Sequence, residues 1–363
     1  MNNFLSFDLS WTEPMETHVD FSKHIPLGTS IHSIYPLKTQ QTYNSGYLGI
    51  WYVEPEVSET YDYFFFGSTD NPNYWSNFIP LDDIFSDFEG SFWLRTCDFA
   101  ILKNDTIALF GVATTVERVN NTAIDKNNLI MSLSNDGGLS WSQAVQINST
   151  DIPSGFGNFG VFFDNEINFW TIEEDSGADV TSINIWTFNE STTSIVQTHV
   201  YQPSTKVRII WGAVTFNQHL IFLMRGERTN HLLIFDDTQW DQIPISLVEN
   251  DLERLAVLGS DLFLIYKLSY DVFYIGKVCI SDQEIKIADS TKIVPGLNWD
   301  SIWPIQNSTV STFYLTTHRG DIASIKSSFN WSTVIFTFLF CLVFVFIYIS
   351  PILGSYYSGR KEK

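Results

Sequence analysis

The chain has 363 residues, and its 41 acidic against 20 basic side chains give a formal charge of −21. That balance speaks against nucleic acid as a partner, because phosphates need a basic face to displace their counterions. Aromatics reach 16% (30 Phe, 15 Tyr, 12 Trp), which excludes a disordered chain and, with frequent Ile and Thr, favours strands over helices.

Taken from the start, MNNFLSFDLSWTEPMETHV has neither a basic opening nor an apolar core, so it does not read as a signal peptide. Residues 4–11 read as a strand. An apolar strand preceded by a turn residue then recurs at 47–53, 106–112, 167–172, 219–224, 261–266 and 310–315, with spacings of about 42 to 61 residues. An apolar stretch precedes each, and a third follows most of them. Six units of three or four short antiparallel strands predict a six-bladed β-propeller over residues 1–328. The sixth unit lacks a last strand, and residues 4–11 are expected to supply it and close the ring.

Two units share a finer pattern. Ser134, Asp136 and Trp141, with Gly138 between them, and Ser68, Asp70 and Trp75 stand at offsets 0, 2 and 7. Short polar side chains can satisfy the backbone groups of a tight turn, Gly permits positive φ, and Trp can pack beneath it. The Ser134-x-Asp136-x-Gly138-x-x-Trp141 run matches the Asp box of the sialidase superfamily. Over about residues 92–147 the chain resembles that family's opening module: Trp93-Leu-Arg95, then Asn104-Asp-Thr-Ile-Ala-Leu-Phe, then the Asp-box hairpin.

The resemblance implies a propeller and an exo-α-sialidase or trans-sialidase site. Arg95 would match the first of three arginines that hold a sialic acid carboxylate, a task suited to the bidentate guanidinium fork. Arg208 and Arg254, each beside the first strand of a later unit, are its candidate partners. Where the family places its acid/base Asp, this chain reads Gly111-Val-Ala-Thr-Thr-Val-Glu117, leaving Glu117 or Asp125 as candidates. Tyr266, Tyr270, Tyr274 and Tyr314 are the candidates for a tyrosine nucleophile, with core or edge packing as the plain alternative.

Other chemistry finds no pattern. The seven histidines are scattered, and no serine elbow or phosphate loop occurs. The acidic runs at Asp82, Asp83, Asp87 and Glu89 and at Glu173–Asp175 lack the spacing of a calcium loop. No metal and no cofactor are expected. Cys97 and Cys279 fall in distant units and are expected as two buried free thiols. Trp93, Trp186, Trp211, Trp299 and Trp303 are candidates for stacking on sugar rings.

The chain ends differently. Residues 332–353, STVIFTFLFCLVFVFIYISPIL, carry no charge, and about twenty such residues cross a bilayer core. This predicts a membrane helix at 329–353 and a basic tail at 354–363 ending Arg360-Lys361-Glu362-Lys363, on the cytoplasmic side by the positive-inside rule. Sequons at Asn104, Asn120, Asn148, Asn189, Asn307 and Asn330 all precede that segment, as a luminal or extracellular ectodomain requires. A single-pass type I topology follows if the start is incomplete; an anchor that itself directs insertion would invert it, and the first is preferred. The expected function is a membrane-anchored, sialidase-like propeller glycoprotein that binds glycans or a protein ligand, the alternative being an active sialidase.

Overall fold

The computed structural model describes residues 31–292 apart from short connecting segments, together with strands at 8–11, 15–16, 18–19, 302–304, 312–317 and 321–328. The predicted membrane helix and tail at 329–363 lie outside the described residues. Among those described, no helix is long and apolar enough to cross a membrane. Among the described residues nearly all the regular structure is β, the exception being one helical turn, Leu81–Ile84.

The strands run as antiparallel meanders. The first sheet holds Ile31–Gln41, Tyr47–Pro55, Tyr63–Thr69 and Asn77–Pro80, and the second Phe92–Ile101, Ile107–Val119, Thr122–Ser134 and Val145–Ile147. The third holds Asn158–Asp164, Glu166–Glu174, Val180–Asn189 and Ser194–Tyr201. The fourth, Val207–Phe216, His219–Gly226, Asn230–Phe235 and Trp240–Ile245, meets the fifth through one parallel pair, Ile245 opposite Ile285. The fifth holds Asp251–Leu258, Asp261–Ser269, Val272–Ile280 and Ile285–Lys292. A last sheet contains Ile302–Pro304, Thr312–Thr317 and Asp321–Ser328.

Two compact units are distinguished, residues 11–325 and residues 1–10 with 326–363. The strand Asp8–Trp11 neighbours Asp321–Ser328 in one sheet. In the larger, Met15 and Glu16 pair with Ile322 and Asp321. Pairing by the N-terminal segment thus reaches past residue 11.

Within the larger unit the first strands of successive sheets stand side by side: second against third, third against fourth, fourth against fifth, and last against first. Aromatic and aliphatic side chains fill the spaces between sheets, where apolar burial supplies most of the driving force. Phe66 meets Phe99 between the first and second sheets, Phe110 meets Phe169 between the second and third, and Trp170 meets Phe222 between the third and fourth.

Trp186 belongs to this core. It is buried and donates from Nε1 to Thr171 Oγ1 at 3.0 Å, so it is not a sugar-stacking surface. Cys97 is buried as expected, whereas Cys279, near the end of the fifth sheet's third strand, is exposed. The side chains of Trp93, Trp211 and Trp303, and all of Trp299, lie outside the described residues.

Candidate functional site

The two turns that share one sequence pattern differ in structure. In the turn after Thr122–Ser134, Ser134 Oγ donates to Asp136 Oδ1 at 2.8 Å and accepts from Gly138 N at 2.9 Å. Asp136 Oδ1 also accepts from Leu139 N at 3.1 Å and Ser140 N at 2.9 Å, while the Ser140 hydroxyl donates to Oδ2. These bonds, the Ser140 ones foremost, hold Asp136 down to about 2. Gly137 and Gly138 take φ of 76° and 89°. Trp141 donates to the Gly138 carbonyl and meets Phe66 of the first sheet edge-on, with centroids 4.9 Å apart.

After Tyr63–Thr69, by contrast, it is Thr69 that braces the turn. Its hydroxyl lies 2.7 Å from the Tyr74 carbonyl and accepts from Asn71 N at 3.1 Å. Asp70 is exposed, and Trp75 is buried against Trp51 and Phe78.

A cavity of about 720 Å³ opens among the first strands of the larger unit. Among the described residues its ionic lining comprises Lys38, Asp98, Glu174, Arg208, Arg225, Glu253 and Arg254, four cations against three anions. In a chain of net charge −21 this is a locally basic spot.

Lys38, from the first sheet, lies 2.7 Å from Asp98 of the second. Asp98 also accepts from Phe99 N and, across to the third sheet, from Val161 N, each at 2.7 Å. Lys38 Nζ donates to the Phe99 carbonyl at 2.7 Å. With both oxygens engaged, Asp98 is a structural staple and not a proton-transfer group. Beside it, burial holds the Cys97 thiol well above its usual range, and the Asp98 charge adds to the effect. Burial thus disfavours the thiolate, the nucleophilic form.

Of the sequence-predicted arginines, the structure brings Arg208 and Arg254 to this one cavity. Arg208 lies on the fourth sheet's first strand, at the rim. Its Nε is 3.3 Å from Asp179 Oδ1, and its Nη2 donates to the Gly177 carbonyl at 2.9 Å. Arg225, which the sequence reading missed, stands directly opposite Arg208 in the strand register.

Arg254 is 9% exposed on the fifth sheet's first strand, where the ladder slips between Leu252 and Arg254. Burial lowers its pKa to about 9 while Glu253 pulls it back up, so it is charged at neutral pH. Glu253 pairs with Lys267 at 3.0 Å.

Arg95 is described in its backbone only. It falls at the register slip between Leu94, opposite Ala113, and Thr96, opposite Val112, one residue before the cavity lining begins. Glu117 and Asp125, again backbone only, lie opposite Ile124 and Val116 on the hairpin extension at the Arg95 end of that sheet. The Ser134 turn lies at the other end, beside Ile107.

Tyr266 is buried, donates to Ser290 Oγ at 2.9 Å and stacks on Tyr274. Tyr270 and the Tyr314 side chain lie outside the described residues, and no described tyrosine lines the cavity. Among the described residues no three His, Cys, Asp or Glu side chains gather as a metal site.

No protein-family model matches the chain, and no curated protein matches its sequence. Solved structures do match. A leech intramolecular trans-sialidase aligns with TM-score 0.53 at 9% identity, over 86% of this chain and 70% of that one. A Hadza microbial sialidase aligns with TM-score 0.52 at 10% identity over 81% of this chain, which spans 66% of the length of that enzyme. An α-L-arabinofuranosidase from Fusarium graminearum aligns with TM-score 0.51 at 11% identity, over 87% and 98%. The chain has a sialidase-like β-propeller fold. That fold explains why the first strands converge: in a propeller they surround the central channel, where loops and strand ends from every sheet can contribute to one site. At these identities the likeness is one of fold, and the chemistry of the site must come from its own residues.

Proposed function

We propose that this protein is a membrane-anchored, six-bladed propeller glycoprotein that binds carboxylate-bearing glycans in its central cavity. The observation that carries this reading is the convergence of Arg208, Arg225 and Arg254 on one cavity in an otherwise acidic chain. Guanidinium groups bind carboxylates through paired hydrogen bonds, and a buried one such as Arg254 acts where water screens least. Arg95 immediately precedes the lining residue Thr96 in sequence, which makes it the candidate fourth member. The hydrogen bonds around Asp136 support reading residues 134–141 as an Asp box. The uncharged segment at 332–353 supports an anchor, with the propeller on the luminal or extracellular side at the cell surface or in the secretory pathway.

Of the six sequons, Asn104 and Asn189 are exposed next to hairpin turns, which suits glycan attachment. Asn120, Asn148, Asn307 and Asn330 lie outside the described residues. The anchoring and glycosylation parts of the reading are tested together by digesting intact vesicles with protease, quenching it, and then treating the detergent-lysed sample with glycosidase. A glycosidase mobility shift on a protease-shielded chain supports a luminal propeller, and an unshifted, fully digested chain counts against it.

Calorimetric titration of the full-length protein with 3′-sialyllactose, against lactose as the neutral control, tests the binding site. Preference for the sialylated sugar supports it, and equal or absent binding overturns it. The second reading is an exo-α-sialidase. It is favoured by Glu174 and Glu253, which put carboxylates in the same cavity as the arginines. Release of fluorophore from a fluorogenic sialoside at some pH between 4 and 8 (roughly the range of carboxylate chemistry) decides for it.

A further inference from the structure

We infer that Asp179 is a built-in rival carboxylate at the cavity rim, one that competes with an incoming sugar carboxylate for Arg208 and so sets the site's affinity and charge selectivity. The inference rests on the carbohydrate-binding reading above.

Asp179 closes the turn between Glu166–Glu174 and Val180–Asn189, and that turn is braced from within. Asp175 Oδ1 accepts from Gly177 N at 2.8 Å and from Asp179 N at 3.0 Å, while Asp175 N donates back to the Asp179 carbonyl at 2.9 Å. None of these bonds involves Arg208, so the turn presents the Asp179 carboxylate whether or not the arginine is engaged. Its side chain is only 18% exposed and also lies 3.2 Å from Lys206.

The contact with Arg208 has the character of a displaceable one. With Asp179 it uses Nε alone, at 3.3 Å; Nη2 is held separately by the Gly177 carbonyl at 2.9 Å, a bond that removing the Asp179 charge leaves in place, and the Arg208 side chain is 60% exposed. A guanidinium carries five N–H donors, and a carboxylate approaching edge-on can take two in parallel. A ligand carboxylate in the cavity therefore offers Arg208 better geometry than Asp179 does. It must approach a resident negative charge to do so. A neutral sugar neither gains the fork nor meets the repulsion, so Asp179 bears on charged ligands only.

Asp179→Asn keeps the shape of the side chain and removes its charge, which tests the point. With 3′-sialyllactose as the probe, the full-length variant should bind about two- to fivefold more tightly than the wild type, the range expected from one exposed ion pair. Lactose binding should not change. Independently of any sugar, phenylglyoxal should modify Arg208 faster in the variant, as read by peptide mass mapping, and 3′-sialyllactose should protect it. Asp179→Ser serves the same purpose if the Asn variant does not fold.

Gain of sialyllactose affinity with faster Arg208 labelling supports the inference, including the case where only the variant binds measurably. A wild type that binds sialyllactose while the variant binds equally or more weakly overturns it and leaves the site itself standing. Binding by neither protein overturns both.

Discussion

The Lys38 ammonium lies 2.7 Å from the Asp98 carboxylate, and through Val161 N and the Phe99 carbonyl the pair ties together the first strands of three sheets. Both side chains are largely withdrawn from water, at 23% and 13% exposure. Removing one partner of such a pair strands the other. Lys38→Met is expected to cost about 2–3 kcal/mol, somewhat below a fully buried pair because Lys38 retains some solvent. Urea unfolding measures this directly, and a loss under about 0.5 kcal/mol would show that the pair behaves as a surface contact.

The docking of the Ser134 turn on the first sheet yields a second, graded prediction. A Cβ on Gly138 would stand 2.4 Å from Phe66 Cε1, whereas one on Gly137 meets nothing within 4 Å. Both residues have positive φ, so alanine strains either backbone by about 1–2 kcal/mol. Gly138→Ala adds a clash with a packed ring, for a total of about 2–4 kcal/mol. Thermal melts of the two variants should therefore separate clearly. Equal losses would mean that the turn does not seat on Phe66.

These two sites also show what can be read from sequence. The Ser134 turn was legible because its chemistry is local: every hydrogen bond Asp136 makes falls within four residues of it. The same offsets at Ser68, Asp70 and Trp75 misled, because Thr69, between the matched positions, braces that turn instead. The strand repeat was legible from its apolar runs and turn residues. The cavity was less so, because its lining comes from the first and second strands of sheets some fifty residues apart, as loop-separated repeats of a propeller require. Arg225 becomes a partner of Arg208 only once the register sets them opposite each other. Asp98 looked like any polar residue on an apolar strand until Lys38 was brought across from another sheet. Arg208 and Arg254 could be singled out because each stands beside the first strand of a later unit.

Asp136 makes the fold acid-sensitive in a defined window. Its folded pKa, about 2, is depressed from the ordinary 3.8 by the hydrogen bonds of its turn. A depressed carboxylate contributes stability that is fully present above the unfolded value. That contribution is lost as pH falls from about 4 to about 2, where the folded form takes up its proton. Asp136→Asn should lower the melting temperature at pH 7 and flatten its fall across that window. An unchanged slope below pH 4 would assign the acid sensitivity to other carboxylates.

Closure of the last sheet by the N-terminal segment predicts that deleting residues 1–16 removes the pairs Met15–Ile322 and Glu16–Asp321. Unpaired strand edges bind other chains and expose backbone to proteases. The truncated protein should melt at a lower temperature, and limited proteolysis should cut first within the strands of the last sheet. Cleavage elsewhere at an unchanged melting temperature would show that the segment is dispensable.

Arg254 gives the sharpest test of the cavity. It is 9% exposed and lines the same space as Arg208 and Arg225, so its charge acts on a ligand with little screening. Arg254→Lys keeps a cation there and removes the planar fork. If the cavity holds a carboxylated sugar through that fork, 3′-sialyllactose affinity should fall about tenfold or more, the worth of one charge-assisted hydrogen bond. Lactose affinity should stay where it was, and circular dichroism should report an intact fold. Parallel loss of both sugars would trace the effect to repacking around the buried side chain. Retention of sialyllactose binding at wild-type strength would place the carboxylate elsewhere, and Arg254 would then be a residue of the fold alone.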